Sequence, residues 1–302
     1  MAINTGALSK ALRPGVNTWF GLAYNELPEE WSAIFDKEMS DMNYEEDVNA
    51  YGFGLAPVKA EGQALSYDSM QQALIVRYIH ITYALGYIIT REAIEDNLYM
   101  KLAKERTDAL AFSMRQTKEI VAANVLNRAF NSAYVGADGL SLCNSNHLLT
   151  KGGTYNNQLA TPADLSESAL EQALIDIGGI VNDAGLRISA QGMKLIIPRQ
   201  LQFEATRILK SPDRYDTADR SINAMNNMGV LPGGIALNHY LTSASAWFIK
   251  TNVPKGLRMF QRRDLGMEND TEFDTENMKF KASERYSVGF TDWRGVYGSN
   301  GP

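Results

Sequence analysis

The sequence predicts an α+β fold in at least two units, and three stretches carry that expectation. Residues 90–130 run for 41 positions without a glycine or proline, enough for a helix about 60 Å long. Residues 73–89 (ALIVRYIHITYALGYII) are dense in the β-branched and aromatic side chains that suit strands. After Ala163, helical stripes alternate with short apolar runs, as in a compact α+β unit. A length of 302 residues fits about two domains.

The long stretch is the organising element. Placed at about 100° per residue, Ile94, Leu98, Leu102, Ala109, Phe112, Ile120, Ala123 and Phe130 make one apolar face. Ala103, Leu110, Met114, Val121 and Val125 make a nearly opposite one. Two stripes predict a helix held between layers, because a solitary surface helix needs one. No heptad persists, which excludes a coiled coil. Residues 104–108 (KERTD) are polar all round, so the rod is expected to be uncovered, bent or broken there. The i,i+4 pairs Lys101–Glu105, Lys104–Asp108 and Arg115–Glu119 place the cation first, the weaker orientation.

Composition removes several function classes. With 29 basic against 35 acidic residues the net charge is −6, the wrong balance for tight phosphate binding. No apolar run reaches 18 residues, so no membrane span is expected. The first residues (MAINTGALSKALRPG) lack the basic-then-apolar pattern of a secretory signal. A lone cysteine, Cys143, rules out an internal disulfide and fits a reducing cytoplasm.

Residues 1–26 show little periodicity, yet carry Trp19, Phe20, Leu22 and Tyr24; such an arm must lie on its own chain or on a neighbouring copy. Pro28, Glu29 and Glu30 suit the start of a short helix with Trp31, Ile34 and Phe35 as its stripe. Residues 48–89 read as a long antiparallel hairpin bent at Gly62, its second limb carrying Ile75, Ile79, Ile81, Tyr83, Leu85, Tyr87 and Ile89 on one parity. Two strands alone are marginal in water, so the hairpin needs another surface. His80 has no second ligand at a useful spacing and is expected to be structural.

The connector 131–166 is rich in Asn, Ser and Gly. Cys143 and His147 suggest a nucleophile and base, but no nucleophile elbow or second cysteine accompanies them. Gly152-Gly153 lacks the Lys-Ser/Thr of a phosphate loop, and Gly52-Phe53-Gly54 lacks the third glycine of a dinucleotide motif. Asp164 or Ser166 is expected to cap a helix with the stripe Leu170, Leu174, Ile177 and Val181, ending at Gly185. Residues 193–198 (MKLIIP) read as a buried strand, 199–211 as an amphipathic helix, and 230–237 and 246–251 as strands. The acidic tract 268–277 lacks calcium-loop spacing and reads as a solvated turn. In the last stretch Phe280, Ala282, Tyr286, Val288 and Phe290 share strand parity.

The order arm, hairpin, long helix, α+β unit and terminal strand is joined by specific strings. These are DGLSLCNSNH with GGTYNN, LIIPRQLQFEATRILKS, GVLPGG followed by AWFIKTN, and FKASERYSVGFTDWRGVYGS. Together they resemble the major capsid proteins of tailed bacteriophages, the Hong Kong 97-type fold, and especially its Mu-like head-subunit group. The resemblance covers nearly the whole chain. It implies an N-terminal arm (1–47), an extended hairpin or E-loop (48–89) and a peripheral domain with the spine helix (90–163). It further implies an axial domain (164–265) and return strands to the peripheral domain (266–302).

The function so implied is that of a structural subunit, not an enzyme, assembling into hexamers and pentamers. These would build an icosahedral or prolate head around packaged double-stranded DNA. Neither cofactor nor metal is expected. The implied partners are further copies of the chain, a separate scaffold protein, a portal and decoration proteins, with non-specific DNA contact and no membrane. The location implied is the virion, after assembly in the host cytoplasm. Candidate subunit contacts are Trp19, Phe20 and Tyr24 in the arm and Tyr51, Phe53, Lys59, Glu61 and Arg77 in the hairpin. An encapsulin-like compartment shell is the rival reading, and a Cys143/His147 enzyme a more distant one.

Overall fold

The computed structural model describes residues 18–69, 71–95, 99–149, 152–213 and 222–301. Helix α1 (residues 18–26) leads through a 3-10 turn (Trp31–Ala33) into β1 (Asp36–Met39). Strands β2 (Tyr44–Tyr51) and β3 (Gln71–Ile79) form the hairpin, and β4 (Ile81–Ile89), α2 (Arg91–Glu95) and α3 (Tyr99–Asn127) follow. A small ribbon of β5 (His147–Leu148) and β6 (Thr154–Tyr155) precedes α4 (Glu167–Gly178), β7 (Gly192–Pro198), α5 (Gln202–Lys210) and α6 (Ala224–Met228). The chain closes with β8 (Ile235–Asn238), β9 (Trp247–Thr251), β10 (Leu257–Thr271), β11 (Met278–Phe290) and β12 (Val296–Ser299).

Two four-stranded sheets organise these parts. The first has the order β1-β10-β11-β4, the second β12-β9-β7-β8. In β7, Leu195 and Ile197 face the core under α4 and α5 while Ile196 faces the core under α3. That two-sided burial is why MKLIIP is apolar throughout instead of alternating. In β11, by contrast, Met278, Phe280, Ala282, Glu284 and Tyr286 are buried while Lys279 and Lys281 are exposed, so the alternation in the sequence is a true two-faced strand.

The division expected at residue 265 falls inside β10, which already belongs to the first sheet from Leu257. β10 and β11 pair in antiparallel register from Leu257↔Phe290 to Thr271↔Met278. The last strand, β12, then leaves that sheet and pairs with β9 in the second. Long-range pairing thus makes the two units share the chain's end.

The expected single rod is two described helices, with residues 96–98 and the side chains of Ile94, Leu98 and Leu102 outside the described residues. Helical hydrogen bonding continues unbroken through KERTD, so the helix does not break there. Lys104, Glu105 and Arg106 are exposed, but Thr107 is fully buried. Its hydroxyl donates to the Ala103 carbonyl (2.6 Å) and accepts from Tyr87 (2.7 Å). The face carrying Ala103, Leu110 and Met114 packs on the first sheet. Of the opposite face Ala123 is buried, whereas Phe112 (52% exposed) and Ile120 (45%) stand in solvent. The opposite face is thus covered only in part, while the C-terminal half of α3 also meets the second sheet through Leu126 and Ile196.

The described part of the arm, from residue 18, lies on its own chain. Phe20 is buried against Leu110, Met114 and Ala282, with Tyr24 beside it, and Trp19 packs against Ile89 and Phe280. Within residues 28–35 the chain forms only the 3-10 turn Trp31–Ala33 and not the expected helix. The reason is long-range: the Glu119 carboxylate accepts the amides of Glu30 and Trp31 (both 3.0 Å). Trp31, Ile34 and Phe35 consequently enter the core between the sheets. Arg115 turns away from Glu119 to pair with Glu29 and to sit over the Tyr24 ring. Ser166 caps α4, which ends at Gly178 and not at Gly185.

Candidate subunit-contact surfaces

The hairpin projects from the body. Its ladder joins β2 and β3 from Tyr44↔Ile79 to Tyr51↔Gln71, and residues 52–69 beyond it form no strand. Gly62, at φ +80°, takes the left-handed bend that suits glycine. On this excursion Phe53 (58% exposed), Leu55 (83%), Val58 (98%), Leu65 (63%) and Tyr67 (91%) lie open. Lys59 and Glu61 are exposed too, and Arg77, on β3, pairs with Glu46 and covers the Tyr44 ring. The side chain of Tyr51 lies outside the described residues.

The single-parity reading of residues 73–89 needs correction. The strand breaks at His80, leaves the β2–β3 ribbon and enters the first sheet beside β11. Burial switches parity there: Tyr78 is buried and Ile75 and Ile79 are exposed in β3, whereas Ile89 is buried and Tyr83 and Tyr87 are half-buried in β4. A change of partner, invisible in the sequence, moves the inward face by one residue.

Buried polar contacts clamp the hairpin root, and the sequence did not single them out. Asp47 on β2 accepts from Lys255 (2.7 Å), from Thr291 (2.8 Å) and from Arg258. The Tyr78 hydroxyl meets Thr291 at 2.6 Å, its ring packed on Phe260. Ser40 gives its proton to Glu45 (2.6 Å), so His80 Nε2 donates to Ser40 Oγ (2.9 Å) and Nδ1 is left to accept from Ser287 (3.0 Å). Burial, then the Arg285 guanidinium, holds the His80 pKa below its ordinary value. His80 is structural, as expected.

Burial alone would raise the Asp47 pKa, but hydrogen bonds from Lys255, Thr291 and Arg258 outweigh it and leave it lowered. A carboxylate depressed in the folded state stabilises fully above its unfolded value, about 3.9. That stabilisation is lost as pH falls through the folded value. Asp47→Asn should therefore loosen the hairpin near neutral pH, read as faster protease cleavage within 52–69, and should flatten the acid limb of the stability curve.

Cys143 and His147 do not form a dyad. Burial pushes the Cys143 thiol well above its ordinary value, against nucleophilic use. His147 is fully buried, bonded through Nδ1 to Asp138 (2.5 Å) and through Nε2 to the Asn157 side-chain oxygen (3.2 Å), and stacked on Trp293. Asn157 in turn donates to the carbonyls of Leu142, Trp293 and Val296 (2.7–3.1 Å). The DGLSLCNSNH and GGTYNN strings thus lock the chain's last turn in place. Iodoacetamide should label Cys143 only after unfolding; rapid labelling of native protein at neutral pH would contradict this placement.

The acidic tract caps the β10–β11 hairpin, with Glu268 paired to Lys281 and Glu272 to Lys279. Among the described residues no cluster of three or more His, Cys, Asp or Glu could hold a metal, and no helix is long and apolar enough to cross a membrane.

The sequence profile of the family described as phage capsid protein matches residues 76–299. No curated protein matches the sequence. Among solved structures, the capsid of a native GTA particle aligns over 91% of this chain and 92% of its own, at 14% identity and a TM-score of 0.56. The procapsid of bacteriophage JBD30 aligns over 99% and 77%, at 15% identity and 0.52. A virus-like particle from Pyrococcus furiosus aligns over 95% and 98%, at 10% and 0.52. At such identities these likenesses speak for the fold alone, which is the Hong Kong 97 type. With three quarters of its length inside the profile, the chain belongs to the phage capsid protein family and is a structural subunit of a virion shell.

Proposed function

We propose that the subunit assembles into hexamers and pentamers that enclose double-stranded DNA, and that its hairpin is the principal reach between neighbours. The observation that carries this is the excursion 52–69. Five large apolar side chains stand in solvent there, on a root held by the buried Asp47, Tyr78 and His80 contacts. A monomer gains nothing from such a surface, whereas each of these side chains gains about 1.5–3 kcal/mol on full burial. The clamp sets the direction of the reach before assembly and so lowers the entropy lost on docking. Phe53, Lys59 and Glu61 are its contact residues. Phe112 and Ile120 on α3 supply an apolar stripe for a neighbour to cover.

Phe203 on α5 and Met228 on α6 are exposed on adjoining helices, and this reading assigns them to the contacts around the capsomer centre. The net charge of −6 lets packaged DNA move without being clamped. A separate scaffold protein, a portal and decoration proteins complete the particle, and no substrate turns over. The phage capsid profile favours this reading over an enzyme-storing compartment of the same fold.

Replacing residues 54–68 with a short Gly-Ser turn tests the reading by gel filtration. The wild type should elute as shells or large polymers, and the shortened protein as folded monomers or small rings with an unchanged Tm. Closed shells formed equally well without the excursion would overturn the role of the hairpin.

A further inference from the structure

Among the described residues, β4 ends the first sheet and is paired only through β11. Arg106 on α3 donates to the Ile88 carbonyl at 2.6 Å, which shows that Ile88 turns its backbone groups away from β11. Strand alternation turns those of Thr82, Ala84 and Gly86 the same way. All three residues are exposed, and Ile81, Leu85 and Ile88 are each about half-exposed beside them. Soluble proteins blunt such an edge with charge, proline or a covering element. Here Arg106 covers the Ile88 end and leaves the rest open.

A strand without a ladder exists elsewhere in the chain. In residues 63–69 (QALSYDS), Leu65 and Tyr67 alternate with Ala64, Ser66 and Asp68, the period of a half-buried strand. Yet among the described residues the backbone hydrogen bond recorded between positions 52 and 69 is Gln63 to Ala60 (3.2 Å). The Asp68 carboxylate holds the Gly54 amide (2.8 Å) and the Ser69 amide (2.9 Å), which keeps the two limbs together without pairing them. The nine residues of β3 carry this segment roughly 30 Å from the start of β4. It therefore cannot reach its own edge.

We propose that residues 64–69 of one copy add to the free edge of β4 in a second copy, as a fifth strand of the first sheet. The open amides and carbonyls of Thr82, Ala84 and Gly86 provide the ladder, and Leu65 and Tyr67, on one face of the added strand, cover Ile81 and Leu85, which share a face of β4. Main-chain pairing supplies the affinity, and the alternating side chains select the face. The inference rests on the shell reading and names the partner surface within it.

Hydrogen exchange of the full chain, as dilute unassembled subunits and as shells, tests it. The amides of 81–89 and of 63–69 should slow together, at least ten-fold, on assembly. Ala84→Pro removes an outward N–H without breaking a bond to β11, and should keep the subunit's Tm while lowering shell yield at least ten-fold. Ser66→Pro, in a loop outside any ladder, should do the same and serves if Ala84→Pro fails to fold. Wild-type shells whose two segments exchange as in free subunits, or normal shell yield from folded proline variants, would overturn the inference alone. A wild type that never assembles would overturn the shell reading and this inference with it.

Discussion

Leu110→Asp should leave no folded subunit, whereas Arg106→Asp, one helical turn earlier, should leave a stable one. Leu110 is 4% exposed among Phe20, Met114 and Ala282, where α1, α3 and β11 meet. An aspartate there forfeits about 1.5–3 kcal/mol of burial and places a charge in an apolar site. A buried charge without a partner costs several kcal/mol more. Against a total stability of about 5–15 kcal/mol, the substitution should be seen as insoluble protein or loss of the urea transition. Arg106 has its side chain in solvent and gives one hydrogen bond to Ile88, worth about 1 kcal/mol. A small drop in the urea midpoint is expected. Equal effects from both would refute the packing described for α3.

The second large effect concerns Lys118 and Glu284. The ammonium of Lys118 donates to Glu284 Oε2 and to Gln261 Oε1, both at 3.0 Å, between the rings of Trp31 and Tyr286. Both charged residues are buried, Glu284 completely. Removing one partner strands the other, so Lys118→Met should cost about 3–5 kcal/mol. The double variant Lys118→Met/Glu284→Leu, of similar volume and no charge, should recover most of that loss. Urea melts of the two singles and the double give the coupling directly. Additive losses would mean that the pair is solvated and contributes little.

Those two sites also show what could be read from the sequence. The terminal strand's parity placed Phe280, Ala282 and Tyr286 on one face, and the structure buries all three. The unbroken apolar run of MKLIIP marked a strand covered on both sides. Helix α1 leaves a fainter mark: Trp19, Phe20, Ala23 and Tyr24 follow helical spacing, but Gly21 between them interrupts the stripe. β10 carried no such signal. Its second half, RRDLGMENDT, is rich in residues that strands disfavour, and twelve register positions with β11 supply what propensity lacks. The hairpin-root contacts were equally hidden, because Asp47 finds its partners more than 200 positions away. The break at His80 came from an exchange of partner strands, which leaves no mark on the local pattern.

Electron microscopy of the purified protein, alone and with the scaffold protein proposed above, puts the central claim to its most direct test. The account predicts closed shells of regular diameter, with each hairpin lying across a neighbouring subunit. A uniform 33.5 kDa monomer at high concentration under both conditions would contradict it.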